Sequence, residues 1–300
     1  MNANLQSIAK ALNEAEPLLD EASEEIKHHF YCNKGLLCIY EGDNEKAVVN
    51  YKIAINMVGE NYDKEPAAHY NLALAYSRMG MAVRAISHIL DAYNLFNHCR
   101  TNSIALHIDS TLAVNYIRTN QIELALKVLK KALDRANGFD DKTFLGMTLH
   151  NLGAAYYQKK DYTKALGYFE EAFTHLEKSD DLYLENYWAK ICTLMAMKNR
   201  SLCNSLFVKA KKVASKNEHY ALLFNSLFHM MTLKELHSVE FIETITLPYL
   251  ISNYQYSRAL YFCNALIEAH TKSSRSKRSL EIKSLKADIL EKIIFGGGEL

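Results

Sequence analysis

The stretch TLHNLGAAYYQKKDYTKALGYFEEAF, residues 148–173, decides the fold of this 300-residue chain. It reads as two amphipathic helices joined by a short turn, with small and aromatic side chains in a fixed order. Those residues are Leu152-Gly153, Tyr156, Ala165, Phe169 and Ala172. The small residues allow the two helices to cross closely, and the aromatic ones fill the wider gaps to neighbouring pairs. The stretch therefore predicts a helix pair that packs against further copies of itself.

The same order recurs along the chain. The alanines that close each unit lie 38, 40, 40 and 38 residues apart, at Ala54, Ala92, Ala132, Ala172 and Ala210. Two earlier units repeat the order in full, as Leu72-Ala73, Tyr76, Ala85, Ile89, Ala92 and as Leu112-Ala113, Tyr116, Ala125, Leu129, Ala132. This register is the signature of the tetratricopeptide repeat (TPR), with helices about a turn longer than in the usual ~34-residue unit. A HEAT or armadillo array has a period of ~40–47 residues but does not predict this order.

The repeats predict an all-α TPR solenoid of about seven helix pairs, folded as one domain. Only three residues are proline, which suits a chain that is helical throughout. We expect capping helices at 1–27, the TPR domain at 28–295 and a Gly-rich tail at 296–300. Repeats one to four are predicted at 28–61, 66–99, 106–139 and 146–179, and repeats five to seven, at 184–217, 219–250 and 253–294, depend on helix periodicity alone.

The composition argues against several classes of protein. With 35 basic and 34 acidic residues the net charge is +1, which predicts no direct binding to nucleic acid or to a membrane. The acidic first segment and the basic last helix pair are typical of polar end caps, and a head-to-tail contact that would make a homodimer stays open. The sequence has no signal peptide and no apolar run of about 18 residues, so we expect a cytoplasmic protein.

No motif in the sequence carries catalytic chemistry. Signatures of hydrolases, kinases, phosphate loops and paired-Cys metal sites are absent. The adjacent pair His28-His29 lacks further ligands at helical spacing, so we expect no metal there. The six cysteines lack close spacing and are expected to be reduced, small apolar residues: Cys32, Cys38, Cys99, Cys192, Cys203 and Cys263. We therefore expect a protein that is not an enzyme and holds no cofactor and no metal.

The groove of the array is where the sequence places a ligand. In a TPR solenoid the first helix of each pair lines the concave face, which suits an extended peptide. One slot per repeat holds Asn33, Asn71, Thr111 and Asn151. A carboxamide both accepts from N–H and donates to C=O, so this column predicts a clamp for a peptide backbone. The alternative, that each Asn only satisfies a neighbouring helix, stays open.

A second slot holds arginine in two adjacent repeats, Arg78 and Arg118. Guanidinium groups pair with carboxylates through two hydrogen bonds, so these residues predict a peptide with an acidic residue or a free C-terminus, although a solvated pair is an equal alternative. The same strip carries further candidate binding residues, namely Tyr70, His107, Ser110, Met147, His150, Tyr157 and Trp188. Their flat aromatic surface suits apolar side chains of a ligand.

The segments at 28–54, 67–96 and 148–173 resemble the TPR region of the Bacillus Rap proteins and their relatives NprR and PlcR. The likeness extends over about 28–294 and includes the long period of ~40 residues. It implies an intracellular receptor for a short secreted signalling peptide. By the family's pattern, Asn151 matches the Asn that clamps the peptide backbone. Arg118 occupies a slot where several Rap receptors carry an acidic residue, so the departure points to a peptide with an acidic residue, as in the NprR branch.

The resemblance also implies what the chain does with its ligand. We expect a regulator that binds a short peptide in the concave groove and changes conformation to control a protein partner. The alternative is a constitutive TPR scaffold for protein–protein interaction without a small ligand. Residues 1–26 are too few for the N-terminal three-helix bundle of Rap proteins or the helix-turn-helix of NprR and PlcR. We therefore expect either a truncated receptor without an effector domain or one whose output passes through the repeats, and phosphatase activity is not expected.

Overall fold

The computed structural model describes residues 3–57, 66–96, 102–138, 141–178, 181–233, 235–273 and 275–295. Across these ranges all regular structure is helical and no strand is present, which confirms the predicted all-α TPR fold. Two predicted features, Cys99 and the Gly-rich tail at 296–300, lie outside the described residues. None of the described helices is both long enough and apolar enough to cross a membrane.

Sixteen α-helices are described in chain order. They are α1 Ala3–Ala15, α2 Glu24–Glu41, α3 Asn44–Met57, α4 Pro66–Arg78, α5 Ala82–Phe96, α6 Asn102–Arg118, α7 Ile122–Asn137, α8 Lys142–Gln158, α9 Tyr162–Phe173, α10 Asp181–Ala196, α11 Arg200–Val213, α12 Glu218–Met231, α13 Leu236–Phe241, α14 Leu247–Ser252, α15 Tyr256–Lys272 and α16 Ser276–Phe295. Glu16–Glu21 and Ala214–Lys216 are 3-10 segments. The chain divides into two compact units, Met1–Thr111 with Lys292–Leu300, and Leu112–Glu291.

The first unit begins with a short cap on the first repeat. Ser23 accepts a hydrogen bond from the backbone N–H of Ile26 at 3.4 Å and starts α2 at Glu24, four residues before the predicted repeat boundary. Lys34 of α2 donates to Glu16 of the 3-10 segment at 2.5 Å. Close packing of α2 on α3 requires the small residue at Gly35, because a Cβ there would lie 2.9 Å from the ring of Tyr51.

The second unit contains residues 148–173, the stretch with the clearest repeat pattern. A Cβ at Gly153 of α8 would lie 2.5 Å from the ring of Phe169 on α9, so only glycine permits this close approach. Phe169 is fully buried together with Leu152, Ala155 and Ala165 in one apolar cluster. The predicted order of small and aromatic residues thus corresponds to direct packing between the two helices.

Each of the first five helix pairs turns through a residue in the left-handed conformation. These residues are Gly42, Gly80, Asn120, Lys160 and Lys198, with φ of 83°, 73°, 60°, 64° and 58°. Their spacing reproduces the intervals between the closing alanines. The turn at Lys198 therefore keeps repeat five in register although its small helix-crossing residues are absent from the sequence.

The helix that closes the sixth pair is irregular. α13 and α14 are continuous through a π-helical turn at Ile242–Thr246, in which the N–H of Leu247 bonds to the carbonyl of Ile242. Pro248 has no N–H for the regular bond to the residue four positions earlier, and its ring crowds that carbonyl. A wider turn just before the proline relieves this conflict.

Candidate functional site

A buried ion pair joins two helices of the second unit that are far apart in sequence. The guanidinium of Arg258 on α15 donates to the carboxylate of Glu185 on α10, and the Tyr220 hydroxyl on α12 donates to the same carboxylate oxygen at 3.1 Å. The side chains of Arg258 and Glu185 are only 13% and 29% exposed. Burial alone would raise the pKa of Glu185, but attraction by Arg258 and the hydrogen bonds from Tyr220 and Arg258 hold it below its usual value. The carboxylate is therefore ionised at neutral pH.

The predicted site residue Arg118, at the end of α6, belongs to the same group of charges. The pKa of its guanidinium is lowered to about 10, because burial and the nearby Arg258 lower it by more than Glu185 raises it. Arg118 thus remains charged at neutral pH. We call Arg118, His150, Glu185, Tyr220 and Arg258 the Glu185 cluster. It combines two guanidinium groups with one carboxylate.

His150 contributes no charge to this balance. Burial lowers the pKa of His150, and its Nδ1 lies 2.9 Å from Oδ1 of Asn186. The amide nitrogen of Asn186 donates to the carbonyl of Phe169 at 2.7 Å, which fixes Oδ1 as the acceptor for the ring. His150 is therefore a neutral imidazole with its proton on Nδ1. Within the Glu185 cluster, the charged side chains are therefore those of Arg118, Arg258 and Glu185.

Aromatic side chains of α10 and α15 pack beside the Glu185 cluster. The Arg258 guanidinium lies 5.2 Å from the centre of the Trp188 ring, and Trp188 also packs on Tyr261 and Phe262 at centroid distances of 6.5 and 6.1 Å. Tyr157 lies beside Tyr261, and burial raises the pKa of both phenols. Predicted residues from α6, α8 and α10 thus meet in one polar and aromatic region.

Other predicted residues lie together in the first unit. The Thr111 hydroxyl donates to the carbonyl of His107 at 2.9 Å, so the Tyr70 hydroxyl, 3.3 Å away, donates to Thr111. Arg78 donates to the carbonyl of Ile39 at 3.0 Å, which uses part of its capacity to bind a carboxylate. The Tyr70, Thr111 and Arg78 groups are partly exposed at this position.

The predicted amide column is heterogeneous. Asn33 is exposed on α2, and its amide donates to the carbonyl of His29 on the same helix at 2.9 Å. Asn71 is half-buried, whereas Asn151 is only 6% exposed. Of the remaining predicted residues, Ser110 is buried, Met147 is half-buried and His107 is exposed. The role of this column as a backbone clamp stays a prediction.

Glu185, Tyr220 and Arg258 were not among the predicted residues. Glu185 and Tyr220 occupy the second position of their repeats, the slot that holds the predicted residues His107 and Met147 in repeats three and four. Extending that column into repeats five and six would have found both. Arg258 lies in repeat seven, where the consensus is too weak to assign slots.

Comparison with known proteins supports the repeat assignment. Tetratricopeptide repeat family models match residues 104–178 and 28–57. The first match covers predicted repeats three and four, and the second covers most of repeat one. Repeats three and four are among the units in which the predicted order is complete.

Two sequence relatives are bacterial regulators. The transcriptional activator NprA of Geobacillus stearothermophilus is 24% identical over 181 residues, which are 59% of this chain and 44% of the relative. The regulatory protein RapD of Bacillus subtilis strain 168 is 24% identical over 206 residues, which are 66% of this chain and 58% of the relative. The chain thus spans about half the length of these relatives.

Two solved structures share the fold over nearly the whole chain. A Rap protein complexed with Competence and Sporulation Factor has a TM-score of 0.77 at 16% identity and covers 95% of this chain and 80% of its own. NprR in complex with its cognate peptide NprX has a TM-score of 0.73 at 22% identity and covers 97% of this chain and 84% of its own. The likeness inferred from the sequence is thereby confirmed at the level of the fold: the chain has the tetratricopeptide-repeat fold of the Rap and NprR regulators.

Proposed function

We propose that the chain is a receptor for a short peptide with an acidic residue, that the peptide binds at the Glu185 cluster, and that binding controls a protein partner. The observation that carries the proposal is that Arg118 and Arg258 lie with Glu185 in a largely buried cluster. A guanidinium pairs with a ligand carboxylate through two hydrogen bonds, and partial exclusion of water strengthens such a pair.

The surroundings of the cluster suit a peptide better than a small anion. Trp188, which is buried, and Tyr261 place flat rings beside the charges, and these rings accept the side chains that flank an acidic residue once a ligand opens the cluster. Glu185 and neutral His150 supply acceptors for backbone N–H groups. The Rap and NprR structures described above are themselves complexes with signalling molecules, which supports the same class of ligand here.

The ion pair could couple peptide binding to a change in the contact between α10 and α15. Arg258 and Glu185 connect α15 to α10, which are separated in sequence by α11 to α14. A ligand carboxylate competes with Glu185 for the Arg258 guanidinium. If the peptide binds more tightly when the Arg258–Glu185 ion pair is broken, it shifts the second unit towards the conformation without that pair. A partner that recognises one arrangement then responds to the peptide.

The single tryptophan of the chain, Trp188, reports on the site directly. The test titrates the full chain with a pool of hexapeptides that carry one central Asp and with a matched pool that carries Asn. We expect the emission of Trp188 to change with the Asp pool at concentrations where the Asn pool has no effect. Arg118→Gln removes the difference, whereas Arg200→Gln, a change of an exposed arginine on α11, preserves it.

Two outcomes would contradict the proposal. Equal responses to both pools would show that the cluster does not select an acidic residue. No response to either pool, together with a protein partner retained on the chain without peptide, would favour the constitutive scaffold.

A further inference from the structure

The first unit holds a cluster of possible metal ligands on the two helices of repeat two. His69 lies on α4, and His88 and Asp91 lie three residues apart on one face of α5. Nδ1 of His88 is 3.7 Å and Nδ1 of His69 is 4.0 Å from Oδ2 of Asp91. All three ligand atoms lie within 4.8 Å of one another.

One ring nitrogen of each histidine in this cluster lacks a hydrogen bond. Nδ1 of His69 and Nδ1 of His88 are buried and have no hydrogen-bond partner within the described part of the chain. The distances to Asp91 are too long for hydrogen bonds. Two nitrogens and one carboxylate oxygen therefore point into the same small space without bonding to each other.

We propose that His69, His88 and Asp91 bind one divalent transition-metal ion, with Zn²⁺ as the best fit. Imidazole nitrogen and carboxylate oxygen are zinc ligands, and three protein ligands leave the fourth position for water or an exogenous group. At bond lengths of 2.0–2.2 Å, tetrahedral ligand atoms lie about 3.4 Å apart. The observed separations, all within 4.8 Å, exceed this value by at most about 1.4 Å.

The position of His88 is fixed by its neighbours. Its ring stacks on Tyr76 at a centroid distance of 5.6 Å and an interplanar angle of 8°, and Tyr76 is itself buried. The stack holds the plane of the His88 ring beside Asp91.

The surroundings also allow an ion to enter. The side chains of His69, His88 and Asp91 are 24%, 29% and 51% exposed. The positive charges of Lys52 and Arg84 oppose a cation, and the Asp91 carboxylate offsets part of this effect. A bound ion would link α4 to α5 and stabilise the second helix pair.

Cobalt(II) is the probe for the test because its visible absorption reports tetrahedral coordination, and Zn²⁺ calorimetry gives the stoichiometry. We expect the full chain to bind one ion and to unfold at a higher temperature with it. His69→Asn, His88→Asn and Asp91→Asn should each weaken the affinity about tenfold or more. His237→Asn is the matched control, since this exposed histidine also lies near a carboxylate, 3.2 Å from Glu235.

Circular dichroism of each variant verifies that it is folded. Absence of tetrahedral cobalt bands would overturn the proposal, as would an equal loss of affinity in the His237→Asn control. Charge-transfer bands typical of a cobalt–thiolate bond would assign the ion to a cysteine and overturn it as well.

Discussion

The Arg258 guanidinium and the Glu185 carboxylate form a largely buried ion pair between residues 73 positions apart in the sequence. The Tyr220 hydroxyl donates to the same carboxylate oxygen, so helices α10, α12 and α15 share one polar contact. Removal of one member of a buried pair leaves the other charge without compensation. The stability of the second unit and its proposed ligand site therefore depend on the same residues.

Glu185→Gln should destabilise the protein by about 3 kcal/mol, the lower end of the range for breaking a buried pair, because both side chains keep some contact with solvent. The amide keeps the size of the side chain and removes only its charge, which isolates the electrostatic contribution. Urea unfolding at pH 7 measures the change. The matched control is Glu123→Gln, since Glu123 and Lys159 form a pair that is 77% and 46% exposed, and its loss should change the free energy of unfolding by less than about 1 kcal/mol. Equal effects of the two changes would contradict the assigned burial.

The same pair predicts a pH dependence of stability. The pKa of Glu185 in the folded protein lies below its ordinary value of 4.5. Its contribution is therefore fully present above pH 4.5 and is lost as the pH falls through the lower, folded-state pKa. The difference in unfolding free energy between the wild type and Glu185→Gln should be constant from pH 7 to about pH 5 and decrease below pH 4.5. A difference that does not vary with pH would show that the pKa is not depressed.

Arg118→Ala should weaken peptides with an acidic residue by about 1.5–3 kcal/mol, the range for a hydrogen bond to a charged group. Peptides in which that residue is Asn should lose much less affinity, so a double-mutant cycle measures the coupling between the two charges. Arg118→Glu should reverse the preference towards peptides with Lys or Arg. Equal losses for acidic and neutral peptides would leave Arg118 in the site but discard its role in reading charge.

Gly153→Ala should destabilise the fold by about 1–3 kcal/mol, the usual cost of overpacking, because the new methyl group would meet the ring of Phe169. Gly167→Ala in α9 is the opposite control, since nothing lies within 4 Å of its Cβ position. Alanine there should stabilise the helix by about 0.5–1 kcal/mol. Thermal unfolding of the two variants tests the difference in sign, and a gain of stability for Gly153→Ala would refute the close crossing.

Lys160→Gly should increase stability by up to about 1 kcal/mol. Lysine in the left-handed region costs about 1–2 kcal/mol, which glycine avoids. The greater backbone entropy of glycine in the unfolded state cancels part of this gain. Lys160 has φ of 64°, whereas the adjacent Lys159 has φ of −69°. Lys159→Gly should therefore decrease stability. Chemical denaturation of this pair compares the same substitution one residue apart, and a decrease for both would rule out relief of backbone strain at Lys160.

The helical repeat follows from the amino-acid sequence alone. The order around Gly153 and Phe169 is a local pattern, because residues that pack within one helix pair lie close together in the chain. The spacing of the closing alanines then located the first five pairs, and the left-handed turns follow the same spacing. The resemblance to Rap and NprR proteins rests on these same short-range patterns.

Which charged side chains lie close together is visible only in the tertiary structure. Arg118 was predicted as a reader of carboxylates, but its neighbours Glu185 and Arg258 come from repeats five and seven, and no local pattern specifies such pairing. The cluster of His69, His88 and Asp91 was likewise missed, because two ligands share α5 while the third comes from α4. Hydrophobic periodicity is set by each helix separately, whereas the balance of charge and the distance between ligand atoms depend on how the helices pack. The sequence thus gives the architecture of the repeats, and the packing of helices fixes the chemistry between them.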